Sequence, residues 1–391
     1  MRGEVMSEVL EIDKKGFSKT DLIHTACKEL LTYGLWDGKT RCKRFVKKYI
    51  FRRPTAVEDL IFWPTGLLAT GLLNCLHELQ AVDAAESEAI IALPQTERER
   101  LQTQIEVSLT AYFARWQKQG CPVTFLDDLL AGEVFLKIYE EYQRNKKENA
   151  MIGADNAEMY LQAIEKLATY VHAYPTDETG SFPYRANQQN GYVFVDSIGL
   201  TCPFLYEYGG TFGKKESMEL AVKQIANFLA YGMDSATGLP YHGYDVVSGT
   251  KYGIIGWGRA VGWLLRGMTG CMTTDYGTEL LREPYLALLD AVISYQRKDG
   301  YFSWQLQTME GPADTSATGM ICVALQEGIQ RGFLQGESYT QVLEKGIHAM
   351  RKSIKNGRVY DCSGECEGFS QYPQRYGAYP WALGMALALD L

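Results

Sequence analysis

The segments DETGSFPY (residues 177–184) and DSATGLPY (residues 234–241) share one loop pattern: a polar turn leads to a glycine, and an aromatic residue follows. The same pattern recurs in KQGCPVTF (118–125), RKDGYFSW (297–304) and IKNGRVY (354–360). Its glycines recur about every 60 residues, which indicates a repeated structural unit. A glycine at such a turn suits a positive φ angle, which other residues adopt with difficulty.

Two stretches with helical periodicity lie between successive glycines. After Gly180, for example, residues 195–209 and 216–233 carry apolar residues at i, i+3, i+4 and i+7. The first stretch of each pair is richer in Gly, Ala and apolar residues, and the second carries more charge. An inner ring and a solvent-exposed outer ring of helices require this difference.

Six such units fit a chain of 391 residues. The N-terminal copies are less regular, with residues 57–79 and 96–116 as the first inner and outer helices after two short ones. Repeated helix pairs form an open solenoid or a closed toroid. The last helical segment is apolar almost throughout, whereas an open end needs a polar cap. The sequence therefore predicts an all-α protein: an (α/α)6 barrel over residues 51–391, with an N-terminal helical extension over residues 1–50 packed on it.

The composition argues against several classes of function. A net charge of −8 without a Lys/Arg run is unfavourable for nucleic-acid binding. No apolar stretch reaches the roughly 18 residues of a membrane span, and acidic residues stand where a signal peptide needs an apolar segment. The nine cysteines are scattered, and the close pair Cys362 and Cys366 has no second pair to complete a zinc site. We expect a cytoplasmic monomer or homodimer with reduced thiols, no metal and no cofactor.

Polar residues in the loops that lead into inner helices are the candidates for chemistry, because these loops meet at one end of a toroid. Asp196 lies in YVFVDSIGL (192–200) with apolar residues on both sides, where a carboxylate is costly unless it is paired or protonated. Asp127 lies one repeat earlier and is expected to face the same cavity. Two carboxylates in one cavity are the usual equipment for glycosidic chemistry.

Other candidates lie in the later loops. Asp128 and Asp314 open inner helices, and Asp245 lies in the loop before another. An Asp at a helix start, as at Asp127, Asp128 and Asp314, is often an N-cap that accepts backbone N–H bonds. Tryptophans beside a polar cavity offer the flat surface on which a sugar ring packs. The remaining candidates for ligand contact are His242, Trp257, Arg259, Trp263, Thr315 and Ser316.

Five segments carry a resemblance to a known family: VFVDSIGL (193–200), YHGYD (241–245), GWGRAVGW (256–263), DTSATGM (314–320) and YPWALGMALAL (379–389). In this order they resemble the unsaturated rhamnogalacturonyl hydrolases of glycoside hydrolase family 105, which are related to the unsaturated glucuronyl hydrolases of family 88. The resemblance implies an (α/α)6 barrel that removes a 4,5-unsaturated uronic acid from the non-reducing end of oligosaccharides produced by polysaccharide lyases. It also implies that Asp196 protonates C4 of the vinyl ether and that water adds at C5, so that the ring opens and the remaining sugar leaves.

The same resemblance assigns roles to other residues. Asp127 matches the second catalytic Asp of the family, and His242, Arg259 and Trp263 match its substrate-binding positions. A neighbouring carboxylate favours the protonated form that an acid catalyst needs. We expect Arg259 to hold the uronate carboxylate with two hydrogen bonds.

Two positions and one segment depart from the family pattern. The segment is IFWPTG (residues 61–66), in which the family's N-terminal Trp-aromatic motif is barely recognisable. Phe194 stands two residues before the catalytic Asp, where the family commonly has Trp, and we expect it to contact the substrate. Val261 replaces the Asn of the family's Arg-Gly-Asn-Gly-Trp segment.

Two other functions are consistent with part of the pattern. A sugar epimerase or isomerase on such a toroid uses several histidines in its cavity, whereas His242 alone among five histidines lies in a candidate loop. A non-catalytic sugar-binding toroid would need Trp257, Trp263 and Arg259 but not Asp196.

Overall fold

The protein is described by a computed structural model that covers residues 18–35, 37–52, 59–81, 93–148, 154–186, 191–369 and 371–391. Its helices, numbered in chain order, are α1 (Lys19–Thr32), α2 (Gly38–Phe45), α3 (Trp63–Gln80), α4 (Gln95–Lys118), α5 (Leu129–Glu148), α6 (Ala154–His172), α7 (Val195–Phe212), α8 (Lys215–Tyr231), α9 (Gly258–Cys271), α10 (Asp275–Ile293), α11 (Thr315–Gln330), α12 (Glu337–Lys352) and α13 (Pro380–Leu387). A π-helical turn, Val46–Ile50, follows α2, and a 3₁₀ turn, Leu126–Asp128, precedes α5.

Six helices form a closed inner ring, in the order α3, α5, α7, α9, α11 and α13, and α13 packs back on α3. Helices α4, α6, α8, α10 and α12 each pack outside the inner helix that precedes them. Helix α1 lies against α3, α4 and α13 and so takes the sixth outer position. The predicted (α/α)6 barrel is confirmed. The division of the chain at residue 50 stays a prediction, and residues 1–17 lie outside the described part of the chain.

The repeat glycines occupy the backbone conformation that the sequence predicts. The φ angles are positive at all five, with values of 84° at Gly120, 85° at Gly180, 70° at Gly238, 91° at Gly300 and 66° at Gly357. A side chain at these positions would strain the turn that starts each new helix pair. These glycine turns therefore separate one helix pair from the next.

The strands are short: β1 (Val193–Phe194), β2 (Gly243–Asp245), β3 (Thr250–Tyr252), β4 (Ile354–Lys355), β5 (Arg358–Val359), β6 (Cys362–Ser363) and β7 (Tyr376–Gly377). Strands β1, β2 and β3 form an antiparallel sheet in that order, in which Phe194 pairs with Gly243. This sheet joins two of the loops that lead into inner helices. Among the described residues, no helix is both long and apolar enough to cross a membrane.

Closure of the ring requires the backbones of α3 and α13 to lie very close together. A Cβ atom at Gly71 would lie 2.3 Å from the carbonyl oxygen of Gly384, and one at Gly384 would lie 2.4 Å from that of Leu67. The obstructing atoms belong to helical backbone, so they cannot move without separating the first and last inner helices. Both glycines are therefore required for the ring to close.

Replacement of Gly71 by Ala should lower the free energy of unfolding by about 1–3 kcal/mol, because overpacking forces the two helices apart. The matched control is Gly210→Ala in α7, where a new Cβ atom meets nothing within 4 Å. That variant should be neutral or up to about 1 kcal/mol more stable, because Ala favours helix over Gly. Urea denaturation measures both, and equal effects of the two substitutions would contradict the closure argument.

Candidate active site

The pairing of β1 with β2 brings Asp196 and His242 together. Val195, directly after β1, donates its N–H to the carbonyl of His242 over 2.9 Å, so Asp196 at the start of α7 lies beside the histidine ring. The Nε2 atom of His242 lies 3.1 Å from Oδ2 of Asp196. The lone carboxylate in its apolar stretch therefore has a specific partner, supplied by a segment 46 residues away.

A tyrosine fixes the other side of the histidine. Nδ1 of His242 lies 2.8 Å from the hydroxyl oxygen of Tyr372. When the Tyr372 hydroxyl donates to Nδ1, the ring hydrogen is on Nε2, and His242 donates to Asp196. The described residues give Asp196 no second hydrogen-bond partner, and its side chain is 14% exposed. One carboxyl oxygen is therefore held and the other is available to a ligand.

Asp196 lines a pocket of about 240 Å³ at this end of the barrel. Tryptophan side chains and charged groups line the pocket together, a combination that suits a sugar ring bearing a carboxylate. Six of the residues predicted from the sequence meet here: Phe194, Asp196, His242, Trp257, Arg259 and Trp263. The other lining residues are Trp63, Tyr184, Arg185, Leu200, Glu365, Cys366 and Gly368.

Asp127 lies in the 3₁₀ turn before α5, behind this wall. Its Oδ2 accepts a hydrogen bond from the Tyr184 hydroxyl over 3.3 Å and lies 3.9 Å from Nη2 of Arg185. Its Oδ1 is buried and has no partner among the residues that the structure describes. Burial raises the pKa of Asp127 to about 6, Arg185 opposes this, and the charges of Asp196 and Asp59 add to it. Asp127 thus contacts the residues that line the pocket, and its predicted catalytic role stays a prediction.

Arg259 lines the pocket but is anchored in the protein. Its Nη1 donates to the carbonyl oxygen and the hydroxyl of Ser363 over 2.9 and 2.6 Å and lies 3.2 Å from the Ser316 hydroxyl. Its Nη2 donates to the carbonyl of Gly364 over 2.7 Å. These bonds tie α9 to the segment that leads toward α13.

Thr315 and Ser316 are fully buried and are not brought to the pocket surface. The Thr315 hydroxyl donates to the carbonyl of Tyr360 over 2.8 Å, and the Ser316 hydroxyl donates to Asp314 over 2.6 Å. Asp314 is the N-cap of α11, which confirms the structural role considered for this aspartate from the sequence. The hydroxyl donors of Thr315 and Ser316 are thus used within the protein. Contact of these two residues with a substrate stays a prediction.

Asp245 also lies apart from the pocket. Its carboxylate accepts hydrogen bonds from the backbone and the hydroxyl of Ser248, within an exposed turn between β2 and β3. This is the local turn chemistry that Asp commonly supplies.

Sequence reasoning missed several residues of the site, although their positions carried a signal. Tyr184 and Arg185 follow the repeat glycine Gly180, and Glu365 and Cys366 lie in the loop before α13. Both loops lead into inner helices, which is the criterion that selected Asp196. Trp63 begins α3 in the least regular repeat, and Tyr372 has no distinguishing local pattern.

Comparisons with known proteins give the family and the fold. The family model described as Glycosyl Hydrolase Family 88 matches residues 42–389. A 24.9 kDa protein in the picA locus of Rhizobium radiobacter is 36% identical over 177 residues, which span 41% of this chain and 75% of that protein.

Two solved structures are similar over nearly the whole chain. A possible member of glycoside hydrolase family 105 from Klebsiella pneumoniae matches with a TM-score of 0.72 at 17% identity, covering 94% of this chain and 90% of that one. The unsaturated glucuronyl hydrolase of Bacillus sp. GL1, responsible for the degradation of glycosaminoglycan, matches with a TM-score of 0.62 at 14% identity, covering 94% and 93%. At these identities the two structures show a shared fold.

The pKa of Asp127 predicts a stability change with pH. Because burial raises this pKa from 3.8 to about 6, the ionised side chain destabilises the folded state, and stability from this group falls as pH rises through that range. Asp127→Asn should therefore raise the free energy of unfolding by about 1–3 kcal/mol at pH 8, and by clearly less near pH 4.5. The control, Glu279→Gln on the exposed face of α10, should change little at either pH. Urea denaturation at both pH values checks this, and a pH-independent gain from Asp127→Asn would contradict it.

Proposed function

Since the chain belongs to glycosyl hydrolase family 88 and is a glycoside hydrolase, we propose that it removes a 4,5-unsaturated uronic acid from the non-reducing end of lyase-generated oligosaccharides. The observation that carries this proposal is the half-engaged carboxyl group of Asp196, which is held by His242 at the wall of a pocket with tryptophan faces. The name of the similar Bacillus enzyme, an unsaturated glucuronyl hydrolase, supports the same substrate class.

The chemistry that this arrangement suits is hydration of a vinyl ether. The free oxygen of protonated Asp196 gives its proton to C4 of the C4=C5 double bond, which leaves an oxocarbenium ion between C5 and the ring oxygen. Water adds at C5 and returns one proton to the Asp196 carboxylate, so the acid is restored. The C5 hemiketal then opens to a ketone, and the exposed hemiacetal at C1 collapses to release the remaining sugar.

The neighbours of Asp196 have supporting roles in this scheme. The Nε2–H of His242 stabilises the carboxylate that forms after proton transfer, since a charge-assisted hydrogen bond is stronger than a neutral one. Asp127 holds Tyr184 and lies beside Arg185, so it positions that wall of the pocket and places a second acidic group near Asp196.

The pocket favours this function over the two alternatives. One histidine, His242, is found among its lining residues, and both of its ring nitrogens have protein partners, so it is poorly placed to exchange a proton with a sugar as an epimerase requires. A non-catalytic sugar-binding protein would have no use for a carboxyl group in this position, where burial among apolar residues is costly.

Asp196→Asn should reduce turnover by about 10²–10⁴-fold, the usual contribution of a positioned general acid, while the fold stays intact. The assay follows absorbance of the conjugated double bond in unsaturated oligosaccharides from rhamnogalacturonan or glycosaminoglycan. The matched control is Asp245→Asn, in the exposed turn beyond His242, which should retain activity. If the wild-type protein consumes none of these oligosaccharides, the proposed function is wrong, and if Asp196→Asn keeps full activity, the acid is misassigned.

A further inference from the structure

The pocket holds two arginines, and the structure distinguishes them sharply. Arg259 is 3% exposed, and its two terminal nitrogens donate to Ser363 and Gly364 of the neighbouring loop. Its guanidinium carbon also lies 4.8 Å from the ring centroid of Trp257. With these donors committed to the protein, Arg259 fixes the shape of the wall and has few donors left for a ligand.

Arg185 has the opposite character. Among the described residues it donates no hydrogen bond, because the Asp127 oxygen nearest to its Nη2 is 3.9 Å away. Its Nη1 is buried and has no hydrogen-bond partner in the described part of the chain, while the side chain as a whole is 32% exposed. An unpaired buried donor of a charged group is costly. Because the described residues supply no acceptor for it, a ligand acceptor at this guanidinium would offset part of that cost.

The position of the Arg185 guanidinium is nevertheless fixed. Its central carbon lies 4.1 Å from the ring centroid of Phe125 and 4.5 Å from that of Tyr184. Tyr184 is in turn stacked on Phe194, with ring centroids 4.5 Å apart and planes inclined by 9°. A planar cation between aromatic rings is preorganised for an acceptor, so little conformational entropy is lost on binding.

The other charges in the pocket make such a cation necessary for an anionic ligand. Asp196 and Glu365 both line the pocket, and Asp127 lies behind it, within a chain of net charge −8. A carboxylate that enters would meet repulsion from those of these groups that are ionised. The described lining residues include two cations, Arg259 and Arg185. The terminal nitrogens of Arg259 are engaged by the protein, so Arg185 is the one that can donate hydrogen bonds to a ligand.

We propose that Arg185 is the residue that recognises the carboxylate of the substrate, and that Arg259 holds the pocket wall in place. This inference rests on the proposed function for the identity of the ligand as an unsaturated uronide. It revises the expectation from sequence that Arg259 makes this contact. It also assigns a specific role to Phe125 and to the stacked pair Tyr184 and Phe194, which orient the guanidinium.

The test compares two ligands that differ in the recognised group: an unsaturated uronide disaccharide and its methyl ester. Binding is measured by titration of tryptophan fluorescence in the Asp196→Asn protein, which does not consume the ligand. The acid should bind more tightly than the ester. Adding Arg185→Gln should weaken binding of the acid roughly 10- to 100-fold, as expected for loss of charge-assisted hydrogen bonds, and should change binding of the ester little.

Two further variants and a stability control make the comparison specific. Arg282→Gln on the exposed surface of α10 removes the same charge and should leave both affinities unchanged. Arg259→Lys should preserve the preference for the acid over the ester. Thermal melting of the Arg185→Gln protein checks that its fold is retained.

The outcomes separate this inference from the proposed function. Equal binding of acid and ester, no binding of the acid, or a preference that survives Arg185→Gln but disappears in Arg259→Lys would overturn the role of Arg185. Binding that depends on Arg185, combined with no hydrolysis by the wild-type protein, would support the role of Arg185 and overturn the proposed function.

Discussion

The hydrogen bond between His242 and Asp196, together with the bond from His242 to Tyr372, joins three parts of the chain that are distant in sequence. Asp196 lies in the first turn of α7, and His242 immediately precedes β2. Tyr372, whose hydroxyl bonds the other ring nitrogen of the histidine, lies in the loop before α13. The bond forms because β1 and β2 pair in one register, and a shift of one residue would move His242 away from the carboxyl group. The tight backbone at Gly243, where a Cβ atom would lie 2.5 Å from both Phe369 and the Val193 carbonyl, helps to fix that register.

The inner ring supplies the second constraint, which is close helix packing beneath the site. A Cβ atom at Gly199, one turn after Asp196, would lie 2.6 Å from Trp263, and one at Gly267 would lie 2.6 Å from Ile198. These glycines let α7 and α9 approach closely, and Trp263 of one helix and Asp196 of the other line the same pocket. The glycine-rich composition that marks the inner helices in the sequence is therefore also what positions the pocket residues.

Much of the fold could be predicted from the sequence because its signals are local and repeated. The turn glycines recur at a fixed interval, and their positive φ angles are confirmed. Asp196 was identifiable for a similar reason, since its apolar neighbours make an unpaired carboxylate conspicuous. Its partner Tyr372 was not, because the contact depends on where a long loop crosses the mouth of the barrel.

The arginines show most clearly where sequence reasoning stops. Arg259 lies in a motif that resembles a known family, yet its donors are taken by carbonyl groups of a loop about 100 residues further along the chain. Arg185 lies in no recognised motif, yet no described residue accepts a hydrogen bond from its guanidinium. Tertiary contacts determine which arginine has unengaged hydrogen-bond donors. Residue type and spacing in the sequence do not contain this information.

In the proposed function, bond cleavage begins at the C4=C5 double bond and not at the anomeric carbon. The most direct measurement uses two substrates with the same leaving sugar, one with an unsaturated and one with a saturated uronic acid. Released sugar and double-bond absorbance are followed together. We expect release from the unsaturated substrate alone, with one double bond lost for each sugar released. Comparable release from the saturated substrate, or release without loss of the double bond, would contradict it.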